Sequence, residues 1–300
     1  MKLSVYATPF RSEDYARLSA RFIEESLQKG IAVSLAPSTL HALEQMGVFL
    51  DGADGFTVAS EDSVDDDTDF AVSLGGDGTF LRAAHWCGEK PVPIVGVNLG
   101  HLGYLPAYNP DDLPTLADTL KNADYDVESR SLLLIELPDG FKDSIGACWR
   151  YALNEVAIVK QDTASMISVP VTLNGREMGV YNADGLIIST PTGSTAYNLS
   201  VGGPVLQPVV PALVLSPIAD HSLTMRPMVI AEDSVIDVTA VGRINSFRVS
   251  LDGNSFTLPM GTPVRVVKAP FCCRIIVRKG TLFSSTLRSK LLWGETTPIE

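Results

Sequence analysis

The fold of this chain is decided by residues 70–84, FAVSLGGDGTFLRAA. Apolar residues run directly into the glycine turn, GGDGT at residues 75–79, and a helical pattern follows at once. The pattern predicts a strand, a tight turn and the start of a helix. Glycines let a backbone approach a ligand closely, and the free N–H groups at a helix start favour an anion. Asp77 inside such a turn indicates a residue that handles a hydroxyl proton or a metal-bound phosphate.

Strand and helix patterns alternate on the N-terminal side of this stretch and continue to residue 97, which predicts a parallel sheet with ligands at its carboxyl edge. After about residue 125 the patterns are β-rich and separated by turn residues. We therefore predict an α/β N-terminal domain and an all-β C-terminal domain, a β-sandwich. The predicted boundaries are 1–110 for an α/β nucleotide-binding domain, 111–270 for the β-sandwich, and 271–300 for a terminal strand and helix.

Composition narrows the class of protein. The 300 residues are 45% hydrophobic and 19% charged, as in a globular protein, and the net charge is −12. An acidic chain is a poor general binder of nucleic acid, because phosphates must be neutralised by Lys and Arg. We find neither a signal-peptide pattern nor a long apolar run, and the four cysteines form no C-x-x-C pair. These features predict a cytoplasmic protein that is not bound to a membrane.

The glycine turn supplies the first candidate site residues, with Gly75, Gly76 and Thr79 as a phosphate loop. Arg82 lies one helical turn later, where it either reaches a phosphate or is a solvated helix arginine. A second loop, GVNLGHLGYL at residues 96–105, follows the next strand, and its His101 is either a catalytic base or a solvated side chain. Walker and dinucleotide-fingerprint motifs are absent from the sequence.

Two further segments carry polar groups in apolar surroundings. Asn154 and Glu155 interrupt an apolar strand, and a carboxylate beside an amide suits the two hydroxyls of a ribose. Residues 184–203, DGLIISTPTGSTAYNLSVGG, combine a short strand with a turn rich in hydroxyls and glycine. This turn favours a nucleotide, and Tyr197 is placed to stack on a base.

Together these segments resemble the NAD kinase family, most closely at residues 72–84 and 184–205. The resemblance implies transfer of the ATP γ-phosphoryl group to the 2′-hydroxyl of the adenosine ribose of NAD, giving NADP. Asp77 would accept the hydroxyl proton, or at least orient the hydroxyl and the metal-bound phosphates, with Gly78 beside it on the NAD. Mg²⁺ would be held mainly through the ATP phosphates, without a dedicated metal-binding residue. The implied fold has the C-terminal segment returning to the first domain.

The resemblance also implies how NAD is held. Asn154 and Glu155 would hold ribose hydroxyls, and Asp184 and Thr192 would contact the nicotinamide half. The adenine end would be lined by Thr195, Ala196, Tyr197, Asn198, Leu199 and Ser200.

Four more positions match or depart from the family pattern. His221 matches a histidine common in the family. Asn254, Asn182 and Ser165 stand where many or some members have glutamine, a basic residue and histidine, respectively. The resemblance also implies a homodimer or a homotetramer, since most family members form one of the two. Two other readings stay open: a lipid kinase, which shares GGDGT, and an inactive NAD(P)-binding regulator.

Overall fold

The computed structural model of the protein describes residues 1–50, 55–100, 103–141, 150–161, 166–222 and 224–294. The chain forms two compact units. One consists of Met1–Ser129 with Cys273–Glu300, and the other of Arg130–Cys272. The chain thus passes from the first unit to the second at residues 129/130 and returns at 272/273. The boundaries predicted from the sequence are 110/111 and 270/271.

The first unit is a parallel sheet with helices packed against it. Its strands lie in the order β5-β4-β1-β2-β3, and all the neighbouring pairs are parallel. In chain order its elements are β1 (Lys2–Ala7), α1 (Glu13–Gln28), β2 (Ala32–Leu35), α2 (Pro37–Gln45), β3 (Thr57–Val58), β4 (Phe70–Leu74), α3 (Asp77–Cys87), β5 (Ile94–Val97) and α4 (Leu113–Lys121). This confirms the predicted α/β class.

Local sequence explains where these elements begin. In β4 the residues after Phe70 are buried, as expected for a parallel strand covered on both faces. Helix α3 begins at Asp77, inside the predicted turn, because Gly76 is extended and acts as the N-cap. Asp77 therefore lies in the first helical turn. Helix α4 buries Leu116 and Leu120 in the core of this unit, which accounts for a crossing later than residue 110.

The second unit is a sandwich of antiparallel layers. One layer has the order β10-β9-β14-β17 and the other the order β13-β12-β11-β8-β15-β16. Its elements are β6 (Tyr125–Glu136, which begins in the first unit), β7 (Tyr151–Ala152), β8 (Glu155–Lys160), β9 (Ile167–Leu173), β10 (Arg176–Ala183), β11 (Gly185–Ser189), α5 (Tyr197–Ser200), β12 (Ala212–Ile218), β13 (Met228–Ala231), β14 (Ile236–Thr239), β15 (Ser246–Leu251), β16 (Asn254–Pro259) and β17 (Pro263–Arg278). Val171 and Val238 of one layer share a core with Ile158 and Val249 of the other. The predicted β-sandwich is confirmed.

The chain returns to the first unit at its C-terminal end, as predicted. Strand β17 crosses between the units, and Ile275 and Ile276 near its end pair in parallel with Ile94 and Val95 of β5. Helix α6 (Phe283–Leu291) follows within the first unit. Across the described ranges, no helix has the length and apolar character to cross a membrane.

Candidate active site

The glycine turn is fixed on one side and open on the other. A Cβ atom at Gly75 would collide with Thr79, so only glycine fits there. Around Gly76 and Gly78, no described atom lies within 4 Å of a Cβ position. Thr79 is buried, and its hydroxyl lies 2.6 Å from that of Thr8 at the end of β1. A ligand can therefore approach the backbone of this turn closely.

The carboxylate of Asp77 is held by the backbone of the loop that follows β5. The N–H of Tyr104 donates to Oδ2 at 2.9 Å, and the N–H of Leu105 donates to Oδ1 at 2.8 Å. Gly103 packs tightly here, since a Cβ atom on it would lie 3.1 Å from Asp77 Oδ1. An ionised carboxylate has about four lone-pair sites. Two hydrogen bonds orient the group and leave sites open for a hydroxyl proton.

A cleft of about 340 Å³ opens beside this turn. It is lined by the whole glycine turn, by the segment after β1 and by Leu99 and Gly100. Arg82 and Arg11 both line this cleft, and Arg11 is not among the candidate residues predicted from the sequence. Nothing in the local sequence around Arg11 marks it, because it comes to the cleft only through the pairing of β1 with β4. Two guanidinium groups, the N-terminus of α3 and one carboxylate suit a phosphate chain with a proton acceptor beside it.

Asn154 and Glu155 lie in the second unit, at the start of β8, and both are buried. Their position is set by Asp252, whose carboxylate accepts the N–H groups of residues 153, 154 and 155 at 2.7, 2.8 and 3.1 Å. Asp252 and Gly253 form the two-residue turn between β15 and β16, with φ of +49° and +89°. Asp-Gly is a preferred pair for such a hairpin turn. Asn254, the next residue, is the position that the sequence singles out, whereas Asp252 is the residue that contacts the backbone of Asn154 and Glu155.

The carboxyl groups of Glu155 and Asp252 differ in protonation. Burial, followed by the charge of Asp252, raises the pKa of Glu155 to about 8, against a hydrogen bond from the backbone of Tyr197. Burial raises the pKa of Asp252 only to about 6, because three backbone N–H groups favour its charged form. Glu155 Oε2 has no partner among the described residues. At neutral pH, Glu155 therefore carries a proton and offers an unused polar atom to a ligand.

The turn at residues 192–195 packs directly against Asn154. A Cβ atom at Gly193 would collide with the backbone carbonyl of Asn154. Thr190 completes the contact, because its hydroxyl donates to the carbonyl of Leu153 at 2.6 Å and its N–H to that of Asn154 at 2.9 Å. Thr192 is buried, with its hydroxyl 3.3 Å from Arg130 Nη1. The predicted ribose and turn residues are thus brought together within one unit.

Residues 195–200 divide into exposed and structural positions. Tyr197 is 40% exposed and Ser200 is exposed, whereas Thr195, Ala196 and Leu199 are partly buried. Asn198 is fully buried, and its amide is bonded within the unit: Nδ2 donates to the carbonyls of Ser194 and Pro204, and Oδ1 accepts from Ser216. The Asn198 side chain therefore holds this segment in place, and its part in lining the adenine end stays a prediction.

Asp184 lies apart from the Asn154–Glu155 pair. In the antiparallel pair of β8 and β11, Glu155 is opposite Ser189, whereas Val159 is opposite Gly185. Asp184 forms an ion pair of 2.6 Å with Lys160 at this far end. Five residues of strand separate the two ends by roughly 17 Å. Thr192, which the resemblance groups with Asp184, lies instead at the Glu155 end.

The remaining predicted positions are dispersed. Asn182 accepts a hydrogen bond from the Ser168 hydroxyl at 2.7 Å, and its carbonyl accepts the N–H of His221 at 3.0 Å. These two residues therefore lie together, near Asp184 in the chain. Asn254 is exposed at the start of β16. Ser165 and His101 fall outside the described residues.

Each of the two units contains a region that matches a known protein family. Residues 11–125 match the model of the ATP-NAD kinase N-terminal domain, and residues 153–277 match that of the ATP-NAD kinase C-terminal domain. The first match contains the glycine turn, and the second contains Asn154, Glu155 and the 192–195 turn.

Individual relatives agree with this match. The chain is 37% identical over 293 residues to an NAD kinase of Porphyromonas gingivalis, covering 98% of each chain. It is 42% identical over 228 residues to an NAD kinase of Bacteroides fragilis, covering 76% of this chain and 77% of that one.

Two solved structures share the fold. Yeast NADH kinase complexed with NADH has a TM-score of 0.86 at 21% identity, covering 100% of this chain and 90% of that one. An NAD kinase from Archaeoglobus fulgidus in complex with ATP has a TM-score of 0.72 at 24% identity, covering 96% and 99%.

Proposed function

The chain belongs to the ATP-NAD kinase family, and we propose that it transfers the γ-phosphoryl group of ATP to the 2′-hydroxyl of the adenosine ribose of NAD. The products are NADP and ADP, which gives the protein a role in NADP biosynthesis. The observation that carries the proposal is the carboxylate of Asp77. It is oriented by two backbone N–H groups at the mouth of a cleft lined by Arg11 and Arg82.

Asp77 acts as the proton acceptor. A ribose hydroxyl is a weak nucleophile near neutral pH, so the reaction needs positioning and a base. As the 2′-oxygen forms its bond to the γ-phosphorus, the bond from that phosphorus to the ADP oxygen breaks. The hydroxyl proton moves to a free lone pair of Asp77. The two N–H groups from residues 104 and 105 keep the carboxylate in one orientation during this step.

The glycine turn and the two arginines bind the phosphates. The N–H groups at the start of α3 and in the open backbone at Gly76 and Gly78 donate hydrogen bonds to phosphate oxygens. Among the described residues, no three potential metal-binding side chains lie together. The site nevertheless fits Mg²⁺ held mainly through the substrate phosphates, with the carboxylate of Asp77 beside them, because Mg²⁺ is bound through few protein ligands in phosphoryl-transfer sites. When bound, Mg²⁺ would neutralise the negative charge of the phosphates.

NAD is recognised by the second unit. Asn154 and the protonated Glu155 hold ribose hydroxyls, since a neutral carboxyl group both donates and accepts. The 192–195 turn and the backbone of residues 195–200 line the adenine end, where the exposed ring of Tyr197 stacks. A ligand that also reached Asp184 of the same chain would have to extend roughly 17 Å along β8.

The cellular setting follows the family. We propose a cytoplasmic homodimer or homotetramer whose partners are the nucleotides ATP, NAD and NADP. Support for a reducing compartment comes from Cys87 and Cys272, which are free thiols among the residues that the structure describes.

The first prediction concerns the reaction itself. Purified protein incubated with ATP, Mg²⁺ and NAD should form NADP, detected with an NADP-specific dehydrogenase. Asp77→Asn should lower kcat by about 10²-fold or more, because an amide cannot accept the proton. NAD binding, measured by calorimetry, should change little. Asp62→Asn, an exposed carboxylate in the same unit, is the matched control and should keep full activity.

Two outcomes would contradict this prediction. Absence of NADP from the wild type with ATP or with other phosphoryl donors would refute the kinase function. Turnover by Asp77→Asn within a few-fold of wild type would refute the role of Asp77 as the base.

A further inference from the structure

The loop at residues 103–106 is held from two sides. On one side, the N–H groups of Tyr104 and Leu105 donate to the two carboxylate oxygens of Asp77. On the other side, the ammonium group of Lys290 donates to the carbonyl of Tyr104 at 3.0 Å and to that of Pro106 at 2.6 Å. Residues 104–106 thus connect the proposed base, Asp77, to Lys290. Lys290 lies 184 to 186 residues after its two partners in this segment.

Lys290 is placed by an otherwise loosely packed helix. None of the side chains of α6 is fully buried. The ammonium group of Lys290 nevertheless lies in partly buried surroundings, 5.9 Å from the centre of the Tyr104 ring, which is within cation–π range. Its two carbonyl partners thus tie this helix to the loop at residues 103–106.

Charge supports the arrangement. Burial lowers the pKa of Lys290 to about 8, and the negative charge of Asp77 acts in the opposite direction. The ammonium group of Lys290 and the carboxylate of Asp77 are thus close enough to interact electrostatically, although each is hydrogen-bonded to the loop at residues 103–106. Hydrogen bonds from a charged donor are stronger than those between neutral groups, so two of them hold a short loop firmly.

We propose that Lys290 is a positioning residue for the phosphoryl transfer. By bridging the carbonyls of Tyr104 and Pro106, it fixes the peptide groups whose N–H groups orient Asp77. Lys290 does not touch the substrate in this role. It acts on turnover through the orientation of the base and leaves the binding of ATP and NAD unchanged. The proposal rests on the kinase function proposed above.

The test compares three variants in the coupled assay with the full-length protein. Lys290→Met keeps the length of the side chain and removes the two charged hydrogen bonds. It should lower kcat by about tenfold or more, because small displacements of a catalytic group are costly. KM for ATP and for NAD should stay within about twofold of wild type, as expected for a residue that binds neither. Lys290→Arg, which can still donate to both carbonyls, should recover a large part of the loss.

Arg288→Met is the matched control. Arg288 lies on the same helix and is exposed, and its Nε donates to the carbonyl of Ser284 within that helix at 3.5 Å. Its replacement should leave kcat and both KM values unchanged. Thermal unfolding of each variant checks folding, and Lys290→Gln is measured in place of Lys290→Met if the latter unfolds.

Three results would overturn the proposal. They are a kcat for Lys290→Met within twofold of wild type, an equal rise in KM for both substrates that accounts for the loss, and a Lys290→Arg variant no better than Lys290→Met. The wild type separates this failure from a failure of the kinase function. A wild type that makes no NADP refutes the function, whereas an active wild type with an equally active Lys290→Met refutes only the role of Lys290.

Discussion

At the scale of single residues, the Glu155–Asp252 pair shows how backbone geometry decides a protonation state. Both carboxyl groups are removed from water, which disfavours their charged forms. Asp252 accepts three backbone N–H groups, and these stabilise its negative charge. Glu155 lacks such a set and faces the charge of Asp252. The pair therefore keeps one proton, on Glu155, at neutral pH.

This arrangement predicts a pH dependence of stability. Because the folded pKa of Glu155 is raised from 4.5 to about 8, the folded state binds its proton more tightly than the unfolded state does. The contribution of Glu155 to the free energy of unfolding is therefore fully present below about pH 4.5 and is lost as pH rises through about 8. Glu155→Gln removes this loss. From pH 5 to pH 9, its stability relative to wild type should rise by on the order of a few kcal/mol.

Denaturant unfolding at pH 5 and pH 9 measures this difference. Glu177→Gln, an exposed glutamate of β10, is the control and should follow the wild-type pH dependence. If Glu155→Gln lost stability with pH as steeply as wild type, Glu155 would not be protonated in the folded protein.

At the scale of elements, the 192–195 turn depends on one close approach of two backbones. The turn lies against the carbonyl of Asn154, and Thr190 bonds to Leu153 and Asn154 on the same side. A side chain at Gly193 would meet rigid backbone, so one of the two segments must move. This contact links the predicted ribose residues to the predicted adenine segment.

Gly193→Ala should therefore weaken NAD recognition. We expect KM for NAD to rise by about tenfold or more, with a smaller change in KM for ATP, because Asn154 is displaced. Gly242→Ala is the control in the same unit, since its Cβ would meet the side chains of Ile167 and Met260 at ordinary distances of 3.4 and 3.5 Å. Steady-state kinetics with both substrates measures the effect, and equal KM values for the two variants would show that the turn does not position Asn154.

At the scale of the whole molecule, the two units differ in how the chain builds them. Residues 130–272 form the second unit from one continuous segment, with its own core. The first unit is discontinuous, because residues 273–300 return to it. Ile276 belongs to the core of the first unit, and its strand covers the edge of β5. A chain that ends at residue 129 would lack that strand.

Fragments should reproduce this difference. We expect a 130–272 fragment to unfold cooperatively in urea, and a 1–129 fragment to lack a cooperative transition because β5 would be an uncovered edge strand. Joining residues 273–300 to residue 129 through about ten Gly and Ser residues should restore the transition. Circular dichroism follows the unfolding. A 1–129 fragment as stable as the joined form would show that the returning segment is dispensable.

Local sequence patterns predict the α/β and β-sandwich classes and the segments that carry the chemistry, and the family resemblance predicts the return of the C-terminal segment. These features can be predicted because they depend on neighbouring residues or on a family pattern. The signals are the spacing of hydrophobic residues, glycines where two backbones approach closely, and polar residues within apolar strands. Only the tertiary structure decided what surrounds those segments. The partners of Asp77 are 27 and 28 residues away, those of Asp252 are 97 to 99 residues away, and Lys290 contacts a loop 184 to 186 residues away. Contacts at such separations have no periodicity, and burial exists only once the chain has folded, so the proton on Glu155 and the role of Lys290 could not be predicted from the sequence.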